Sequence, residues 1–168
     1  MLEQARRLLA EEGPGGLHFS TLAARARVSR QTLYRYWSTP EALVTDLVCR
    51  RVQTEVGAPA PDLAEGLRNY LRGLRDVFAD PAARAAYGVL MAAAARDAGA
   101  AAALRGVSEQ RRGWLNEQLA DVGTQLDERE FALVTGPAVY AVFVEQGTVD
   151  DELVEAVVAA ALVRHRRD

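Results

Sequence analysis

Apolar residues recur every three to four positions along most of this chain, and no run alternates in twos over strand length between turn signals. That single period excludes a sheet and makes the expected class all-α. Leu2, Ala5, Leu8 and Leu9 trace one helical stripe that stops at Gly13-Pro14-Gly15-Gly16. Leu22, Ala23 and Ala26 mark a short second helix ending near Arg27, and Ser29 suits the N-cap of a third from Arg30 to about Trp37. The spacing Ser38-Thr39-Pro40-Glu41 fits a capping box and predicts a fourth helix from Thr39 to about Glu55. Ala58-Pro59-Ala60-Pro61 reads as a junction between a first domain over 1–54 and a second over 55–168. Beyond it the period predicts five more helices, near 62–79, 82–97, 100–121, 127–145 and 150–165. The architecture expected is an N-terminal three-helix domain with a helix-turn-helix, followed by a helical bundle.

Composition narrows the function. With 49% apolar and 26% charged residues the chain is neither disordered nor membrane-embedded in character. The longest strongly apolar run, Phe131 to Val144, is too short to span a bilayer, which takes roughly 17 residues or more. The single cysteine, Cys49, excludes an internal disulfide, suits a reducing cytoplasm, and is expected as a small buried hydrophobe. There is no HExxH pattern or Gly-rich phosphate loop, and the two histidines, His18 and His165, are isolated, so neither catalysis nor a metal or cofactor site is expected.

Charge is unevenly spread. The net charge is −3, yet residues 1–54 hold eight Arg against five acids, and 17–37 hold four Arg (Arg25, Arg27, Arg30, Arg35) with no acid. A local basic patch on an acidic chain points to an anionic partner met at one place. On a helix started by Ser29, Leu33 and Trp37 face inward while Gln31, Thr32, Tyr34 and Arg35 face out. Such a surface suits the DNA major groove: Arg forks to a guanine edge, Gln pairs with adenine, and Tyr hydroxyls and backbone N–H groups hold phosphates. Periodicity alone equally allows a plain surface helix with a solvated arginine face.

The segment "LEQARRLLAEEGPGGLHFSTLAARARVSRQTLYRYWSTPEALV", Leu2 to Val44, resembles the DNA-binding domain of the TetR family of bacterial regulators. "LAARA", "VSRQTLY" and the following aromatic, Ser and "EAL" lie in register. The resemblance implies a homodimeric repressor that binds a palindromic double-stranded operator and is released by a small-molecule effector held in the C-terminal domain. It places base-facing roles on Arg30, Gln31, Thr32 and Arg35. Phosphate-facing roles fall on Ser29, Tyr34, Tyr36, His18 and Ser20. Three positions depart from the family: Arg27 stands where Gly is usual in the turn, His18 where Ser or Thr caps the second helix, and Pro40 where a phosphate-binding Lys is common. A helical protein-interaction adaptor with a degenerate DNA-binding module is the alternative reading.

Thirteen alanines within residues 82–104 imply helices that either pack closely or leave space beside larger neighbours. Tyr70, Leu74, Phe78, Tyr87, Met91, Trp114, Tyr140 and Phe143 are the residues expected to line such a space, although each also suits an ordinary core. The last two helices are nearly uncharged: Phe131 to Val144 carries no charge and Leu153 to Val163 only Glu155. A helix apolar all round needs cover on more than one side, and a second copy is the simplest supply. The Pro137 ring is expected to kink its helix near Leu133. Asp150, Asp151 and Glu152 read as charges complementing a helix dipole rather than as metal ligands.

Overall fold

The computed structural model describes residues 1–52 and 59–165, with the backbone alone for Pro14 and residues 49–52. Among these it is all-α: α1 (Leu2–Glu12), α2 (Phe19–Ala26), α3 (Arg30–Tyr36), α4 (Pro40–Val52), α5 (Leu63–Ala79), α6 (Pro81–Ala94), α7 (Ala98–Gln118), α8 (Glu128–Phe143) and α9 (Asp151–His165), with two single 3-10 turns. The expected end of α4 at Glu55 and the Cys49 side chain fall outside the described portions.

The chain separates into two compact units: Met1–Thr54 with Asp80–Ser108, and Glu55–Ala79 with Glu109–Asp168. The return of α6 and the first half of α7 to the N-terminal unit is a feature that linear reading did not anticipate.

In the first unit α1 packs on α2, α4 and α6, and α4 also packs on α6. Ala5, Leu8 and Leu9 of α1 meet a core that includes Leu22, Leu43 and Val44. The alanines of α6 resolve the choice left open by composition: Ala82, Ala83, Ala86 and Ala93 are all buried, so this face packs closely. Asp80 fastens the start of α6 with both carboxylate oxygens: Oδ1 accepts from the Ala82 N–H at 2.9 Å and Oδ2 from Arg6 Nη1 of α1 at 3.1 Å.

In the second unit α5, α8 and α9 pack on one another. Arg68 forks onto Glu155 at 2.8 and 3.0 Å and Arg75 reaches Asp151 at 2.9 Å, which sets α5 antiparallel to α9. These pairs are largely exposed and fix register more than they stabilise. The Asn116 amide closes the segment before α8, donating to the Leu126 carbonyl at 3.1 Å and accepting from its N–H at 2.9 Å. Gly66 lies against Leu119; a Cβ built on it would come within 2.6 Å of Leu119 Cδ2 and 3.3 Å of the Ala60 Cβ. Gly66→Ala is therefore expected to lower stability by about 1–3 kcal/mol, read as the shift in urea midpoint. An unchanged midpoint would show that Leu119, although fully buried, has room to turn aside.

Helix starts follow a pattern missed in the sequence. Asp62, Asp80, Asp97, Asp127 and Asp150 each accept a backbone N–H of the first turn that follows, at 2.7–2.9 Å. At Asp127 the box is complete, because Glu130 Oε2 accepts from the Asp127 N–H at 2.8 Å. The acids at 150–152 thus act at a helix start, with Asp150 as the cap and Asp151 and Glu152 in the first turn. One detail differs from expectation. Thr39, rather than Ser38, caps α4 through the Ala42 N–H at 3.2 Å, because proline at the first helical position makes the residue before it the cap. Pro137 lies inside α8, which continues past it to Phe143.

Candidate nucleic-acid interface

The interface begins with the turn between α2 and α3. The Val28 N–H reaches the Ala23 carbonyl at 3.0 Å and the Arg27 N–H the Ala24 carbonyl at 3.3 Å, the double closure of a Schellman motif. That closure requires a left-handed residue after the helix, and Arg27 supplies it at φ 54°, ψ 42°. A side chain there costs roughly 1–2 kcal/mol that glycine would not. Set against glycine's larger entropy loss on folding, Arg27→Gly is expected to stabilise by about 0.5–1 kcal/mol, a Tm gain of a few degrees. A lowered Tm would mean that the Arg27 side chain contributes contacts outweighing its strain.

Past the turn, Ser29 caps α3. Its Oγ accepts from the Thr32 N–H at 3.0 Å and lies 2.9 Å from the Thr32 hydroxyl. This fixes the first turn of α3 while leaving Arg30 and Gln31 exposed. Leu33 is fully buried beneath them. Trp37 is half-buried, and its indole N–H donates to Asp46 of α4 at 3.3 Å, tying the far end of α3 down. The Phe19 ring meets Tyr34 edge-on at 4.9 Å, so α2 props a tyrosine that is still 57% exposed.

The outward face comprises Arg30, Gln31, Arg35, Tyr34 and Tyr36, all exposed, with Thr32 half-exposed between them. Arg35 Nη2 donates to the Tyr36 hydroxyl at 3.0 Å and its guanidinium lies 5.0 Å from that ring's centre, which holds the arginine extended. His18 precedes α2 with no capping bond from its side chain, and Ser20 is exposed in the first turn. The structure thus brings all nine sequence-selected positions onto α2, α3 and their leading residues.

The basic patch needs one revision. Arg25 binds Glu11 and, at 2.7 Å, Glu12 of α1. The Glu11 bond, ahead of the charges of both glutamates, raises the Arg25 pKa above its ordinary value. Its charge is spent locally, which a count confined to residues 17–37 could not register. Arg27, Arg30 and Arg35 make no ion pair among the described residues and carry the patch. The caps agree with this electrostatics. Helices α2, α3 and α4 start at His18, Ser29 and Thr39, all without a carboxylate, whereas α5 to α9 each start on an aspartate. An acidic cap facing a phosphate backbone would oppose binding, and a neutral one leaves the N-terminal dipole free for phosphate.

The eight residues expected around an effector are divided between the two units. Tyr87 and Met91 belong to the first unit and the other six to the second. Within the second unit, Phe78 meets Phe143 edge-on at 5.1 Å, and Tyr70 stacks at 5.4 Å on Phe131 while its hydroxyl lies 3.0 Å from that of Thr135. Burial raises the Tyr70 pKa above the ordinary phenol value, partly offset by the charge of Arg111. Arg111 is half-buried. Tyr140 is 55% exposed, because it faces away from the core of its own unit. A cavity of about 360 Å³ opens elsewhere, between α5, α8 and α9, and none of the eight lines it. No cluster of metal-ligating side chains occurs among the described residues, and none of their helices is long and apolar enough to cross a membrane.

Residues 1–47 match the model of the bacterial regulatory proteins, tetR family. No curated protein matches the chain in sequence. Over nearly its whole length the fold is similar to solved structures. One is a TetR transcriptional regulator from Rhodococcus sp. RHA1 (18% identity, TM-score 0.66, covering 96% of this chain and 92% of that one). Another is a TetR transcriptional regulator from Agrobacterium tumefaciens (23%, 0.62, 97% and 88%). Residues 1–47 are thus similar in sequence to the bacterial regulatory proteins of the tetR family, and the chain shares over nearly its whole length the all-α fold of solved TetR transcriptional regulators.

Proposed function

We propose that the protein is a homodimeric repressor that reads a palindromic operator with α3 and leaves it when a small molecule binds the C-terminal unit. The observation that carries the DNA half is the acid-free outward face of α3, with Arg30, Gln31 and Arg35 exposed over a capped and anchored helix. Base contacts are assigned to Arg30, Gln31, Thr32 and Arg35, and phosphate contacts to His18, Ser20, Ser29, Tyr34 and Tyr36. Dimerisation is supported by the apolar residues that α8 and α9 leave uncovered: Leu133, Tyr140 and Val144 on one helix, Val163 on the other. A second copy laid on these helices by two-fold symmetry buries them.

Effector release rests on a lever. Helix α4 begins directly after α3 and, with α1, packs on α6, so a shift of α6 is passed to the reading head through packed helices. Half-sites lie about one helical turn of DNA apart, so a modest tilt of both heads spoils simultaneous docking. Recovery of bound fragments from sheared genomic DNA tests the reading. Inverted repeats are expected, with affinity falling steeply between 50 and 200 mM salt. Recovery of no common sequence, or binding indifferent to salt, refutes it.

A further inference from the structure

Arg27 occupies a backbone conformation that disfavours any side chain, and its guanidinium makes no ion pair among the described residues. We propose that it is a phosphate contact. In the operator complex of the reading above, on which this inference rests, Arg27 reaches from the turn between α2 and α3 to the DNA backbone beside the groove that α3 enters. The turn thus carries a cation at the position where its own geometry calls for glycine.

Strain of this kind persists where the side chain returns something for it. Gln146 is the other non-glycine residue with a left-handed backbone among the described residues, at φ 57°, and its return is structural: the side-chain amide donates to the Phe143 carbonyl at 3.0 Å. The Arg27 side chain makes no such bond among the described residues and is exposed. Complementing the α2 dipole does not require this position either. A cation in the last turn, where Arg25 sits, does that on an unstrained backbone.

The other cations of the reading head are already engaged. Residues 1–47 contain Arg6, Arg7, Arg25, Arg27, Arg30 and Arg35, and the chain has no lysine. Arg6 and Arg7 pair with Glu3, Arg6 also with Asp80, and Arg25 with Glu11 and Glu12. Arg30 and Arg35 are assigned above to bases. The groups assigned to phosphate are the hydroxyls of Ser20, Ser29, Tyr34 and Tyr36 with the His18 ring, and no guanidinium is among them. Arg27 is the one that remains. It lies two residues before Ser29, at most about 7 Å along the chain. A phosphate held by the Ser29 hydroxyl is therefore within range of an extended arginine at 27, the side chain whose fork matches phosphate oxygens.

Anisotropy titration of the full chain with two labelled duplexes of about 30 base pairs, long enough for both half-sites, tests the assignment. One duplex holds the recovered inverted repeat and the other a mixed sequence, each measured between about 50 and 200 mM salt. Arg27→Gly and Arg27→Asn suit a left-handed backbone and should stay folded. Both are expected to bind each duplex roughly five- to tenfold more weakly per half-site at about 0.1 M salt, with the slope of log affinity against log salt reduced by about one per half-site. Arg27→Lys keeps the charge and should keep most of the slope. Relief of strain alone raises Tm and leaves the slope unchanged. A wild-type slope in the Gly and Asn variants, a Lys variant as weak as the Gly variant, or a loss confined to the inverted repeat overturns the proposal. Wild-type binding indifferent to salt removes the operator reading itself, whereas a steep wild-type slope retained in Arg27→Gly removes only this role of Arg27.

Discussion

Leu133→Asp and Tyr140→Asp are expected to fold like the wild type, sediment as monomers at micromolar concentration and lose operator binding. Both side chains are about half exposed in the protomer, 45% and 55%, so aspartate costs the isolated fold little. In a two-fold dimer each substitution occurs twice and places an unpaired carboxylate in an apolar seam, at several kcal/mol per charge. That raises the dimer dissociation constant by several orders of magnitude. Operator affinity then falls by about 10²–10⁴, because two linked half-site contacts become one. Val158→Asp provides the contrast. Val158 faces the core of its own unit, 1% exposed, so its replacement unfolds the protomer instead of splitting the dimer. A seam placed on α8 and α9 from their lack of charge alone does not separate these positions. Val139 and Phe143 are half-buried, and substitution there mixes both effects. If Leu133→Asp and Tyr140→Asp remain dimers at micromolar concentration, the partner contact lies on another face.

The second large effect concerns reading. Gln31→Ala and Arg35→Ala are each expected to weaken cognate binding by about 1–3 kcal/mol, roughly five- to 150-fold, and to relax preference at one base pair per half-site. Tyr34→Phe removes only a hydroxyl from a ring that Phe19 continues to hold, and should weaken binding to all sequences alike. Replacing Arg30 should also reduce the salt slope by about one per half-site if it contacts phosphate, and leave sequence preference altered if it contacts a base. Arg25→Ala provides the internal control. Its guanidinium is engaged by Glu11 and Glu12, so its loss should affect the α1–α2 packing more than DNA affinity. Unchanged base preference in both Gln31→Ala and Arg35→Ala would mean that another face of α3 enters the groove.

The helical class, the approximate positions of the nine helices among the described residues and the outward face of α3 were legible in the sequence because each rests on local physics. A 3.6-residue period, a Ser cap and a Gly-Pro-Gly-Gly break act within one or two turns and need no knowledge of the remainder of the chain. The left-handed residue at Arg27, first of the three that link α2 to α3, was marked only through the resemblance, which has glycine there. The aspartate caps of α5 to α9 were equally local and were overlooked, since only the acids at 150–152 were placed at a helix start.

What only the tertiary structure decided is which residues meet across long separations. Arg25 counts as a free cation until α1 delivers Glu11 and Glu12 to it, and Asp80 meets Arg6 across 74 residues only because α6 packs on α1. Which unit each of the eight large residues selected for an effector site joins depends on the neighbours that packing supplies, not on size or apolarity. A cavity is empty space between helices, without a residue type of its own. Its position between α5, α8 and α9 followed only once the ion pairs of Arg68 and Arg75 had fixed how those helices align.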